Sequence, residues 1–155
     1  MADHDRPLKE RGERAALTMA RHIAKNAPRP DLILCSTAVR ARQTLAPLIP
    51  LLHPAPPLAL EKGLYLASED TLLERLKNIP DEVGAVLLVG HNEGLWHLAV
   101  ELAGEGKAAP LAALQAKLPT GALVILSAPI NKWRDLELAG TALLAFIRPR
   151  ELSED

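Results

Sequence analysis

Two short apolar runs, each followed at once by the start of a helical pattern, constrain this chain more than any other feature. Residues 31–35 read DLILC, and residues 83–89 end in VLLV ahead of Gly90 and His91. Runs without polar alternation suit strands buried on both faces, as in parallel sheets covered by helices on either side. In open sheets of that kind the ligand crevice lies beyond the carboxyl ends of the strands. His91 falls there and is the first candidate site residue. Asn92, Glu93, Gly94 and Leu95 then read as a helix start, whose free N–H groups and positive dipole end favour an anion such as phosphate.

The segments between the runs supply the helices. Over residues 10–25, Ala16, Met19, Ala20, Ile23 and Ala24 recur at helical spacing with Arg and Glu opposite them, the pattern of an amphipathic helix. Asn26, Pro28 and Pro30 stop it. A second helix is predicted over 37–45, because Pro47, Pro50, Pro54, Pro56 and Pro57 cannot continue it. A short strand at 58–60 follows, then a helix capped by Ser68, carrying Leu72, Leu73 and Leu76 and ended by Pro80. The 83–89 strand leads into a helix over 93–103, stopped at Gly104-Glu105-Gly106. Residues 122–126, 133–138 and 142–148 read as three closing strands, the last two a hairpin through Ala139-Gly140-Thr141. A disordered tail is confined to the last few residues.

This order is an α/β fold. The 155 residues, 48% of them hydrophobic, suffice for one core, so one domain over 1–155 is expected. With 18 basic and 19 acidic side chains interspersed, there is no basic field to neutralise a nucleic-acid backbone, and no nucleic-acid partner is expected. The lone cysteine cannot form an internal disulfide. The N-terminus has no apolar signal core, and no apolar run approaches the roughly 20 residues that cross a membrane. A cytoplasmic protein without a membrane partner is the expectation.

Directly after DLILC comes STAVRARQT, residues 36–44, which sets an arginine on the first turn of a helix at the sheet edge that also holds His91. A guanidinium there can grip two phosphate oxygens through its planar fork, which lysine cannot do. Arg40 is the better placed; Arg42 points about 160 to 200° around the helix from it. Cys35 with Arg40 looks like a cysteine phosphatase loop, but four residues intervene rather than five, and Cys35 ends a buried strand where an inert thiol is usual. Glu93 could donate a proton, although an acidic residue in a first turn is ordinarily there for stability. His91 and His97 lie on different helical faces, which disfavours a metal pair. His4, His22 and His53 sit in polar or proline-rich surroundings and read as solvated. No metal or cofactor is implied.

The segments STAVRARQT, LLVGHNEGL, LPTGALVIL and FIRPREL, with the N-terminal DHDRPLKERGERAA, resemble the motifs of the histidine phosphatase superfamily, and most closely its SixA-like phosphohistidine phosphatase branch. The resemblance runs over essentially the whole chain. It implies a phosphoglycerate mutase-like fold, three layers in α/β/α order around a mostly parallel sheet. It also implies a metal-free pocket of two histidines and two arginines, in which one histidine is phosphorylated transiently. By motif, Arg40 matches the second pocket arginine and His91 the second pocket histidine, both catalytic and phosphate-binding; Asn92 joins them in binding phosphate. The family's nucleophile lies in an Arg-His-Gly or Arg-His-Ala motif at the end of a first strand ahead of the DRPL segment. That motif and strand are absent from the sequence given. The one Arg-His pair, Arg21-His22, falls inside the first helix with His22 about 110° from the centre of the apolar face. Thr37 and Glu93 stand where the family usually shows proline.

Two functions follow from the resemblance. One is a phosphatase acting on a protein phosphohistidine or a small phosphate ester, expected to be inactive as given for want of the nucleophile. The other is a non-catalytic phosphate or phosphoprotein-binding module of the same fold.

Overall fold

The computed structural model describes residues 1–152; the final residues, where the short tail is expected, lie outside the described residues. The helices are α1 (Glu10–Asn26), α2 (Val39–Leu45), α3 (Glu69–Lys77), α4 (Gly94–Leu102) and α5 (Ala108–Ala116). The strands are β1 (Leu32–Ser36), β2 (Leu58–Glu61), β3 (Val86–Val89), β4 (Ala103–Glu105), β5 (Leu123–Ser127) and β6 (Thr141–Ile147). They form two three-stranded sheets, ordered β2-β1-β3 and β4-β6-β5. Every pairing is parallel except β5 with β6, so the mostly parallel α/β class read from the sequence holds.

The described residues make two compact units, one of residues 1–65, 83–91 and 149–152, the other of residues 66–82 and 92–148. In the first, β1 is the middle strand, and Ile33, Leu34 and Cys35 are completely buried, which is why its sequence is apolar on both faces. Ala20, Ile33, Cys35, Ala38, Ala41, Leu45, Leu48 and Leu52 form its core. In the second, Leu114, Ala99, Leu143 and Phe146 form a core, and the Trp96 indole N–H donates to the Leu114 carbonyl at 2.7 Å.

The structure departs from the predicted elements where side chains or close contacts intervene. The strand expected from residue 83 starts at Val86, because Gly84 and Ala85 give their N–H groups to the Asp31 carboxylate at 2.9 and 3.0 Å. The helix expected from residue 37 starts at Val39; Ser36 Oγ accepts the Ala38 N–H at 3.2 Å and Ala38 stays extended. Residues 103–105, read as the end of a helix and its glycine stop, are β4, paired in parallel with β6. The strand expected at 133–138 is a 3-10 turn over Trp133–Asp135, closed by Asp135 and Leu136 N–H groups bonding three residues back. There is accordingly no 133–148 hairpin, and β6 pairs antiparallel with β5. Helix α5 was not anticipated from the sequence; Pro110 sits in its first turn, where proline is tolerated.

Candidate functional site

Strand register builds the site. Cys35 pairs with Val89 and Ser36 with Glu61, so the three parallel strands end at one level and release Ser36, His91 and, after a single 3-10 turn over Lys62–Leu64, Tyr65 at the same edge. Ser36 is completely buried, and its Oγ lies 2.7 Å from His91 Nε2. Because Oγ accepts from the Ala38 N–H, its own hydrogen is free to donate to an unprotonated Nε2. His91 is itself buried.

Arg40 stands on the first turn of α2. Its Nη1 donates to the Asp3 carbonyl at 2.8 Å and its Nη2 to Asp3 Oδ2 at 3.1 Å. The two outer nitrogens of the fork thus address two separate oxygens. Asp3 also pairs with Arg6 at 2.8 Å and accepts the Tyr65 hydroxyl. Tyr65 meets both candidates: the Arg40 guanidinium lies 5.9 Å from its ring centroid, and the His91 ring stands perpendicular to it at 5.4 Å. His4 completes the group, edge-on to Tyr65 at 5.0 Å with its Nε2 2.8 Å from Thr37 Oγ1. The N-terminal segment that brings Asp3 and His4 here is pinned farther along by the Leu8 N–H, which donates to Gln43 Oε1 at 2.7 Å.

Charges follow from these contacts. Burial lowers the His91 pKa below its ordinary 6.5; the Arg40 cation and His4 add to that, and the Asp3 carboxylate opposes it. These surroundings favour the neutral imidazole. The Tyr65 hydroxyl, ahead of Arg40 and Arg6, holds the Asp3 carboxyl below its usual range, and the same bond pushes Tyr65 up. Burial drives the Cys35 thiol up to about 11, which makes a thiolate nucleophile at neutral pH unfavourable.

Of the residues singled out from sequence, Arg40 and His91 share one neighbour, Tyr65, at the edge foreseen for them. Asn92 gives its amide to the Leu118 carbonyl at 2.7 Å. Arg42 turns back to the Thr37 carbonyl at 3.0 Å, and Glu93 lies 3.6 Å from His97. His22 bonds within α1, to Asn26. His4, read as solvated, belongs to the cluster instead. Asp3, Ser36 and Tyr65 went unrecognised; the position of Ser36 directly after a buried strand was the one available signal. Among the described residues, no group of three or more His, Cys, Asp or Glu side chains could hold a metal ion, and no helix is long and apolar enough to cross a membrane. A separate hollow of about 380 Å³ is lined by Glu105, Ser127, Thr141 and small residues, without a histidine or arginine.

No protein-family model matches the chain. Uncharacterized protein ML1117 of Mycobacterium leprae is 36% identical over 153 residues, covering 97% of this chain and 91% of that protein. The structure of a candidate phosphohistidine phosphatase SixA from Nakamurella multipartitia matches with a TM-score of 0.83 and 29% identity, over 96% of this chain and 88% of that one. Its counterpart from Agrobacterium tumefaciens matches with a TM-score of 0.77 and 30% identity, over 96% and 87%.

Proposed function

Since the chain belongs to the SixA-like branch of the histidine phosphatase superfamily, we propose that it binds the phosphoryl group of a phosphorylated protein histidine or a small phosphate ester, through Arg40 and His91. The observation that carries this reading is the meeting of Arg40 and His91 on Tyr65 at the carboxyl edge of a parallel sheet. The Arg40 fork already holds two oxygens of Asp3, and two phosphoryl oxygens can take their places with the same bidentate geometry. An anion bound there favours the imidazolium form of His91, adding a second charged donor as negative charge builds on the phosphoryl oxygens. Asn92, with its amide given to Leu118, is left out of the proposal.

The residues present account for binding and charge stabilisation. No histidine in residues 1–155 occurs in an Arg-His-Gly or Arg-His-Ala setting. Calorimetric titration with inorganic phosphate tests the proposal. Wild-type protein is expected to bind, and Arg40→Ala to lose about 1.5–3 kcal/mol, the contribution of hydrogen bonds to a charged group. Equal affinity in the two proteins overturns the reading. An aryl phosphate should not be turned over above background; turnover lost in Cys35→Ser but kept in His91→Ala would assign the chemistry to the cysteine instead.

A further inference from the structure

Tyr65 has no part in the family resemblance, and its contacts give it a task. It is the single tyrosine of the chain. Its ring meets Arg40 at 5.9 Å, His91 at 5.4 Å and His4 at 5.0 Å, and its hydroxyl donates to Asp3. It reaches these partners from a fixed base, because Tyr65 also packs against the buried core cluster that includes Ile33, Cys35 and Ala38. Arg40, in contrast, extends from a helix of only two turns, and its guanidinium is held by Asp3 and this ring.

We infer that Tyr65 is the positioning residue of the anion site: its ring sets Arg40 and His91 at one spacing, and its hydroxyl holds Asp3 on the Arg40 fork until an anion replaces it. The inference rests on the phosphate reading for its ligand. Ring and hydroxyl act separately. The face of the ring attracts the guanidinium and fixes its plane, whereas its perpendicular contact with the His91 ring shields that ring from water. The hydroxyl bears only on Asp3. Removing the hydroxyl should therefore spare the site, and removing the ring should loosen Arg40 and hydrate His91. The charged and titratable groups facing His91 are Arg40, Asp3 and His4, and a substitution at Tyr65 removes none of them.

Two readouts test this on the whole chain: the His91 pKa, followed by NMR without ligand, and the Kd for inorganic phosphate. Tyr65→Phe should keep the lowered His91 pKa and bind phosphate at least as well as wild type. Tyr65→Leu should return the His91 pKa toward its ordinary value and weaken phosphate binding about threefold to fivefold, as loss of a half-buried cation–ring contact implies. Both readouts unchanged in Tyr65→Leu, or equal losses in Phe and Leu variants, overturn the inference. Should the Leu variant not fold, Tyr65→Met keeps the bulk without the ring and carries the same two expectations. A wild-type protein that binds no phosphate would defeat the phosphate reading alone, because the His91 pKa still decides the role of the ring.

Discussion

Ser36 shows how much of the site hangs on one small side chain. Completely buried, it accepts the Ala38 N–H and contacts His91 Nε2. Ser36→Ala strands both of those groups away from water, which costs about 1–3 kcal/mol. Urea unfolding should register that loss, and a midpoint equal to wild type would show that water or a rotated His91 replaces the hydroxyl. Arg40 and His91 were legible in the sequence because each follows an apolar strand within a few residues, so local spacing alone puts them at the strand ends. Asp3 and Tyr65 were not, being 37 and 25 positions from Arg40; the register of β2 on β1 brings Tyr65 there, and the N-terminal segment laid back on α2 brings Asp3. His4 misled for the same reason, since a histidine among charged residues looks solvated until the chain folds back on Thr37.

At the scale of elements, the sequence was most readable where one local rule acted alone. Ser68 ahead of Glu69 and Asp70 announced α3, and Ser68 Oγ accepts the Thr71 N–H at 3.3 Å, with both acids in the first turn. Ser68→Ala should cost about 1 kcal/mol in thermal or denaturant unfolding; an unchanged stability would mean that Glu69 and Asp70 suffice against the helix dipole. Reading failed where a competing interaction won. Asp31 draws off the N–H groups of Gly84 and Ala85, and pairing with β6 claims the residues after α4 that glycines had marked as a stop. Gly94 is needed for a reason no periodicity carries: a Cβ there would collide with the Ala67 carbonyl.

For the whole molecule, the α/β class followed from alternating apolar runs and amphipathic segments, whereas the division of six strands into two hydrogen-bonded sheets depends on long-range pairing that no local pattern encodes. Acid should expose the cost of the site. His91 has a lower pKa folded than unfolded, so between the two values the unfolded chain binds more protons. The associated stability is fully present above pH 6.5 and is lost as pH falls from there through the folded value. Unfolding free energies between pH 7.5 and 5 should show this decline, and His91→Gln should flatten it; an equal decline in both proteins would place its origin elsewhere.

The central claim is that Arg40 and His91 serve one anion. It is tested most directly by titrating His91 by NMR with and without inorganic phosphate. The free protein should show a His91 pKa below 6.5, and saturating phosphate should raise it, since a bound anion favours the imidazolium; in Arg40→Ala the same phosphate concentration should leave it nearly unmoved. A His91 pKa indifferent to phosphate in the wild-type protein, or raised equally without Arg40, would contradict a shared site.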